Sequence, residues 1–448
     1  MANQFNASLW GDEAFSAVLS MNSIPQIISI IAKDTAPPLY NLTLHFWYQI
    51  FGTSEIAIRS LSFLYYLLTV FFIYKIGAHL WSKKTGIISA ILTFFNPFFF
   101  IYAFEGRMYS ILALGVSASM YFFLKRNWPA YVIATTWALY SHHFSIFAIF
   151  VQGLWFIYEF LAKDKNSAKS MFKSFLVIFI LYLPWLYPLY KQVTMVGGGF
   201  WLGTPTTNDL RNLIYEYLAE GIKFPLDIPF TTKNLEQIGL YIVFAVIILR
   251  NWFTDIKKTL FLISWFLVPI LITWLVSQKF QSIFYNRYLL YTIPAAMLTL
   301  ASGRRKGSLL LITLLLVIFA VIDINYFTHP TKRPFKELAS FVEENQKPGD
   351  AIINWSGSAH HLWETKYYHI PAPIYLPEGN LPYYVGTAQM THDDTVREIP
   401  ANAQRVIVVT SDPVEKVKLA GYKQADVNTF RELKVIWFVK EIQKSKNI

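Results

Sequence analysis

The sequence IRSLSFLYYLLTVFFIYKIGAHLW occupies residues 58–81 and contains only two charged side chains, Arg59 and Lys75. A helix of this length spans about 36 Å, more than the roughly 30 Å of hydrocarbon in a bilayer. We therefore predict that this stretch crosses a membrane. Nine further apolar stretches bring the predicted crossings to ten: 86–104, 107–124, 129–141, 144–161, 172–190, 235–250, 259–277, 288–303 and 308–327.

The composition agrees with a membrane protein. Hydrophobic residues make up 54% of the 448 residues and charged residues 15%, and the mean hydropathy is +0.36. These values lie outside the range of water-soluble globular proteins. The net charge of +11 comes from short Lys and Arg clusters between apolar stretches, which is typical of cytoplasmic loops and argues against a nucleic-acid partner. Cysteine is absent, which excludes disulfides, thiolate metal sites and a cysteine nucleophile.

The basic clusters predict the orientation of the chain. They occur in alternate loops and belong to the cytoplasm under the positive-inside rule: Lys83-Lys84, Lys125-Arg126, Lys163 to Lys173, Arg250 to Lys258, and Arg304-Arg305-Lys306. The other loops and both termini are then outside. An extra crossing at Leu39 to Phe51 would invert this pattern, so we predict that Ala14 to Ile31 and Leu39 to Phe51 are helices at the outer membrane surface. One simple explanation of an outside N-terminus without a leader is that a first transmembrane helix is missing from the start, and the sequence leaves this open.

Three parts of the chain follow from these patterns. Residues 1–57 are predicted to be an outer segment with interfacial helices, and residues 58–327 an all-α membrane domain with an outer loop at 191–236. Residues 328–448 have the composition of a soluble domain, in which a helix at Pro334 to Asn345 precedes strands at 351–355, near Tyr375, at 406–410 and at 435–439. Alternating helices and strands predict a small α/β domain outside the cytoplasm.

Most of the ionisable groups that could do chemistry fall on the outer side: Asp12, Glu13, Asp34, Arg59, Glu105, Arg107, His142, His143, Lys191 and Arg287, together with Tyr109. Charges close to lipid are unfavourable unless they pair or act in a site. Structural roles stay open for each of them. Glu55 and Arg59 are four residues apart and suit a helix-surface pair, and Arg287 suits a snorkelling anchor. We interpret His142 and His143 as ordinary interface histidines in preference to metal ligands, because neighbouring helical positions point about 100° apart. We interpret Gly197 to Gly199 as a flexible hinge in preference to a loop that contacts substrate.

Several short motifs, taken in order, resemble a known family. They are Asp12-Glu13, Asp34-x-x-Pro37-Pro38-Leu39-Tyr40, Phe51-Gly52-x-x-Glu55-x-x-x-Arg59, Asn96-Pro97, Glu105-x-Arg107-x-Tyr109, and Arg287-Tyr288-Leu289-Leu290 with Pro294. This series resembles the protein O-mannosyltransferase-like glycosyltransferases, which form family 39 of the GT-C superfamily and are related to the lipid A aminoarabinose transferases. The resemblance covers about residues 10 to 330.

The resemblance implies a multi-pass enzyme of the cell membrane that takes a sugar from a polyprenyl-phosphate carrier. The sugar would pass, with inversion, to a protein, lipid or glycan acceptor outside the cytoplasm. Asp12 corresponds to the proposed base, with Glu13 secondary. Arg287, and then Arg59 and Arg107, correspond to binders of the donor phosphate. Four further positions are expected to bind substrate: Asp34, Tyr40, Glu105 and Tyr109. Many relatives have His or Lys before the Pro-Pro pair, where this chain has Ala36.

Physical chemistry supports these roles. A guanidinium can give two hydrogen bonds to the charge that develops on a leaving phosphate, and a hydroxyl acceptor needs a base within reach. The main alternative is a transporter or lipid flippase, but those place ionisable groups near the bilayer midplane, and the centres of these predicted spans are almost free of charge. A non-enzymatic scaffold leaves the outward clustering of polar residues unexplained. The sequence does not identify the sugar, so mannose, another hexose and a pentose all stay open. It identifies no cofactor, and it leaves open whether a divalent metal is bound.

Overall fold

The structure is a computed structural model that describes residues 3–161, 165–218, 241, 242, 245, 246, 249, 255–302, 306–356 and 360–441. The chain divides into two compact units. The sheet unit comprises Met1–Ile30, Leu44–Ile58 and Pro330–Ile448, and the helical unit comprises Ile31–Thr43 and Arg59–His329.

Helices account for most of the described chain. In order, they are α1 (Gly11–Ser20), α2 (Ile24–Ile31), α3 (Leu39–Phe51), α4 (Glu55–Leu80), α5 (Lys83–Phe94), α6 (Pro97–Ile101), α7 (Tyr109–Leu124), α8 (Trp128–Ser141), α9 (Ser145–Leu161), α10 (Lys165–Gly197), α11 (Thr207–Leu218), α12 (Ile256–Val276), α13 (Asn286–Leu289), α14 (Ile293–Ala301), α15 (Lys306–Thr328), α16 (Phe335–Asn345) and α17 (Leu362–Tyr367).

The helical unit contains helices that suit a bilayer. Within the described residues, α4, α10 and α12 are long and apolar enough to cross, and a fourth crossing is possible if α5 and Pro97–Phe104 form one bent span. The ten predicted crossings are therefore not confirmed, and most of the predicted span at 235–250 lies outside the described residues. Apolar side chains on α10 are exposed, among them Phe172, Phe179 and Leu183, as expected of a surface that faces lipid.

Two sequence predictions of uninterrupted helices are corrected. The stretch 86–104 is bent by 60° between α5 and the following helix, because the Asn96 side chain caps α6 by accepting from the Phe99 N–H at 3.0 Å and Pro97 cannot donate to the preceding turn. The stretch Ala14–Ile31 is two helices. Ser23 lies between the two helices, just before α2. Its N–H and its hydroxyl donate to Gln26 Oε1 at 3.1 Å and 2.7 Å.

Small residues allow close helix packing in the helical unit. A Cβ atom at Gly115 of α7 would lie 2.9 Å from the Cα of Ala138 on α8, and one at Gly77 of α4 would lie 2.8 Å from the Cα of Gly86 on α5. No larger side chain fits at either position, and such close approach is how membrane helices gain van der Waals contact.

The sheet unit has six strands: β1 (Ala351–Trp355), β2 (Ile374–Tyr375), β3 (Thr395–Val396), β4 (Arg405–Thr410), β5 (Tyr422–Phe430) and β6 (Leu433–Lys440). Their spatial order is β3-β2-β1-β4-β6-β5. Strands β1 to β4 pair in parallel, whereas β6 pairs antiparallel with β4 and β5. The small C-terminal sheet domain predicted from the sequence is confirmed. Strand β5 was missed because it is an edge strand with few buried apolar residues.

Helix α16 covers one face of this sheet. Phe335, Leu338 and Val342 are buried against Ile407 and Val435. The alternate strand residues, such as Val406, Val408 and Ile436, form a second apolar cluster. This alternation is what a strand buried on both faces requires.

Candidate functional site

The two acidic residues of the Trp10-Gly11-Asp12-Glu13 motif lie in the first turn of α1, in the sheet unit. Glu13 is fully buried, and its Oε2 accepts a hydrogen bond from Lys332 Nζ at 2.8 Å. Asp12 is only partly buried. Negative charge at a helix N-terminus is favourable for both residues. The environments differ, however, and the partly exposed Asp12 carboxylate is better suited to meet a substrate.

Residues from the end of the chain hold α1 in place. The ring of Phe15 packs edge-on against Trp363, with 5.3 Å between centroids, and Gln389 Nε2 donates to the Phe15 carbonyl at 3.3 Å. Gly386 has a φ of +86° and approaches the Trp363 indole, so that a side chain there would clash. Buried Glu364 lies close to Gly11, with Oε1 3.6 Å from the position of a Cβ atom on that glycine. The acidic turn is therefore held by residues from the C-terminal part of the sheet unit.

Arg287 lies in α13 of the helical unit, surrounded by tyrosine rings. Its guanidinium carbon is 5.6 Å from the ring centroid of Tyr109, 5.0 Å from that of Tyr285 and 5.9 Å from that of Tyr288. We call these four residues the tyrosine–arginine cluster. Aromatic faces attract a guanidinium and restrict its motion, so the cluster holds a fixed positive charge that suits an anion.

The Glu105-x-Arg107-x-Tyr109 motif forms the tight turn before α7. The Arg107 N–H donates to the Glu105 carbonyl at 2.7 Å, and the Ser110 hydroxyl donates to the Tyr102 carbonyl at 2.7 Å. Glu105 is buried and Arg107 partly exposed. This turn places Tyr109 at the first position of α7, where its ring meets Arg287.

The remaining predicted site residues of the helical unit lie on other elements. Asp34 is partly buried in the segment between α2 and α3, and Tyr40 and Arg59 are buried. Gln192 holds that segment: its Nε2 donates to the Ile31 carbonyl at 2.8 Å and the Ala36 carbonyl at 3.2 Å. The structure thus joins Tyr109 to Arg287, while Asp34 lies in the connection before α3, Tyr40 on α3 and Arg59 on α4.

Sequence reasoning did not find Lys332, Glu364, Trp363 or Gln192. Glu13 and Lys332 are 319 positions apart, and no local pattern links residues at that separation. The tyrosines beside Arg287 were visible in the sequence, but the participation of Tyr109 was not. Among the described residues, no group of three or more His, Cys, Asp or Glu side chains is arranged to hold a metal ion.

Comparisons with known proteins agree with this fold. Residues 35–187 match the family described as dolichyl-phosphate-mannose-protein mannosyltransferase. No curated protein sequence matches the chain significantly. Among solved structures, ArnT from Cupriavidus metallidurans bound to undecaprenyl phosphate is similar, with a TM-score of 0.59 and 14% identity over 97% of this chain and 95% of that one. Its apo state gives a TM-score of 0.52 at 15% identity over the same shares.

An oligosaccharyltransferase from Archaeoglobus fulgidus, in complex with zinc and sulfate, has a TM-score of 0.53 and 12% identity over 90% of this chain and 64% of that one. The predicted resemblance to GT-C glycosyltransferases is confirmed by these matches. The chain therefore has the fold of these solved structures, and its residues 35–187 match the mannosyltransferase family in sequence.

Proposed function

We propose that this protein is a glycosyltransferase that moves a sugar from a polyprenyl-phosphate carrier to an acceptor on the outer side of the membrane. The single observation that carries the proposal is the tyrosine–arginine cluster, which fixes the Arg287 guanidinium against Tyr109. Tyr109 lies within residues 35–187, the stretch that matches the dolichyl-phosphate-mannose-protein mannosyltransferase family. The similar ArnT structure binds undecaprenyl phosphate, which supports a carrier of this class. The sugar is mannose or another hexose or pentose.

Arg287 is assigned to the carrier phosphate, with Arg107 and Arg59 as further cations. When the bond between the anomeric carbon and the phosphate oxygen breaks, negative charge grows on that oxygen. A guanidinium held by three rings meets this charge without first having to reorganise, which is the condition for electrostatic stabilisation of a transition state. A planar guanidinium can also give two hydrogen bonds to one phosphate.

Asp12 is assigned as the base. It takes the proton of the acceptor hydroxyl as that oxygen bonds to the anomeric carbon, and the polyprenyl phosphate leaves from the opposite face. One bond forms and one breaks at the same carbon, so the configuration inverts. Glu13 is secondary: paired with Lys332, it orients the turn that carries Asp12. Asp34, Tyr40, Glu105 and Tyr109 are assigned to substrate binding.

The outward orientation is part of the proposal and rests on the basic loops of the predicted cytoplasmic side. Both termini and the sheet unit would then lie outside. The acceptor would be a protein, lipid or glycan of that compartment.

The test uses the purified full chain in liposomes. Labelled mannosyl and pentosyl polyprenyl phosphates are compared with the matching nucleotide sugars, using an extract of cell-envelope glycolipids and proteins as the acceptor pool. We expect transfer only from the lipid-linked donors. Transfer from nucleotide sugars alone would contradict the proposed donor class, and rapid movement of carrier across the bilayer without transfer would favour a flippase.

A further inference from the structure

His142 lies beside the tyrosine–arginine cluster, in the short connection between α8 and α9. The side chain is 6% exposed. Its ring centroid is 5.3 Å from that of Tyr288 and 6.4 Å from that of Tyr109. These are two of the rings that surround Arg287. The imidazole and the guanidinium therefore pack against the same pair of tyrosines.

The hydrogen bonding of His142 fixes its tautomer. The Phe144 N–H donates to Nδ1 at 3.1 Å, so Nδ1 acts as an acceptor and carries no proton. In a neutral imidazole the proton is then on Nε2. Within the described part of the chain, Nε2 has no hydrogen-bond partner. The ring thus presents one hydrogen-bond donor beside the cluster.

The surroundings keep this ring neutral. The pKa of His142 lies well below its ordinary value. Burial is the main cause, and the positive charges of Arg107, Arg287 and protonated His143 lower it further. The other titratable groups packed on the ring are the phenols Tyr109 and Tyr288. A neutral imidazole adds no positive charge beside Arg107 and Arg287. It still offers the N–H that a phosphate oxygen accepts.

We propose that His142 is a further ligand of the carrier phosphate, donating a hydrogen bond from Nε2 alongside the guanidinium of Arg287. This inference rests on the proposed function, because it needs a phosphate at the cluster. It assigns to His142 a substrate contact instead of a purely structural role. It also explains why a buried histidine is held by its Nδ1 with the opposite nitrogen unused by the protein.

Two substitutions separate the roles of the two ring nitrogens. His142→Asn keeps a short acceptor near the position of Nδ1 and removes the donor. His142→Gln keeps a donor near the position of Nε2 and removes the acceptor. Binding of undecaprenyl phosphate to the purified full chain in detergent is measured as Kd, and folding is measured as Tm. His79→Asn, at an exposed histidine of the helical unit, is the matched control.

We expect His142→Asn to weaken carrier binding by about 10-fold to 150-fold, the effect of losing one hydrogen bond to a charged group, with a Tm close to that of the wild type. His142→Gln should keep Kd within about threefold and lower Tm. The opposite order, with Gln the weaker binder, would show that the ring serves only Phe144 and would overturn the inference.

If His142→Asn does not fold, the Kd of His142→Gln decides. A Kd near that of the wild type supports the contact, and a Kd raised about tenfold or more overturns it. Wild-type protein that binds no undecaprenyl phosphate would overturn the proposed function itself. Wild-type binding that is unchanged in His142→Asn would overturn only the role of His142.

Discussion

Arg287→Ala should weaken binding of the lipid carrier without unfolding the protein. In the structure the guanidinium is held by the rings of Tyr109, Tyr285 and Tyr288 at 5.0 to 5.9 Å. Each ring contributes about 0.5 to 1 kcal/mol at a partly exposed site, so the side chain is already ordered before the phosphate arrives. Little of the binding free energy is then spent on ordering it.

The expected effect follows from the hydrogen bond that the substitution removes. A charge-assisted hydrogen bond contributes about 1.5 to 3 kcal/mol, which corresponds to a rise in Kd of about 10-fold to 150-fold. Arg287→Lys should recover part of the affinity, because an ammonium keeps the charge but has no planar pair of donors. Removing the guanidinium from among the three tyrosine rings should lower Tm only modestly.

The assay is equilibrium binding of undecaprenyl phosphate to the purified full chain in detergent, with Tm measured on the same samples. Arg126→Ala is the control, since it removes an exposed guanidinium paired with Glu159 at 3.1 Å. An unchanged Kd in Arg287→Ala with a lowered Tm would refute the phosphate role and make Arg287 an interface anchor.

Three further predictions concern the sheet unit. Lys332→Met should destabilise the protein by about 3 to 5 kcal/mol, because it removes the ion pair between Lys332 and the buried Glu13 carboxylate. Denaturant unfolding checks this, and a double variant with Glu13→Gln should recover most of the stability. The Arg405 guanidinium binds Asp350 at 2.5 Å and 2.9 Å; although burial opposes ionisation, these hydrogen bonds keep the pKa of Asp350 below its ordinary value. The stabilisation is therefore complete above the unfolded pKa of about 3.9 and disappears as the pH falls through the lowered folded value, so Asp350→Asn should flatten the acid side of the stability profile. Finally, a reporter fused after Ile448 should be active only outside the cytoplasm, and activity confined to the cytoplasm would reverse the proposed orientation.

The coarse fold follows from the sequence because its signals are local. Apolar length predicted helices that suit a bilayer, and short apolar runs predicted the strands at 351–355, near Tyr375, at 406–410 and at 435–439. The pair Asn96-Pro97 was interpreted as a motif and not as a bend, although a capping side chain followed by proline is a physical reason for one. The edge strand β5 was not predicted, because its residues are mostly polar and exposed and form no apolar run.

The sites were only partly predictable. Tyr285 and Tyr288 flank Arg287 in sequence, so an aromatic environment for that arginine was visible. Tyr109 and His142 reach the cluster through packing of α7 and of the α8–α9 connection, which no pattern within a single helix encodes. Glu13 and Lys332 are brought together by the fold of the sheet unit. The sequence pattern therefore identified groups able to do chemistry, while their partners depend on the tertiary fold.

The rate of sugar transfer in Asp12→Asn tests the account most directly. This change keeps the size of the side chain and removes its basicity, and a positioned base contributes about 10² to 10⁴ in rate. Transfer of labelled sugar from a polyprenyl-phosphate donor is measured in liposomes, with Kd for the carrier and Tm measured alongside and Asp393→Asn, at a fully exposed carboxylate, as the control. We predict that turnover in Asp12→Asn falls by that factor while Kd and Tm stay at wild-type values, and that turnover in Glu13→Gln falls less. Wild-type turnover in Asp12→Asn would contradict the assignment of the base and direct the search to Asp34 or Glu105.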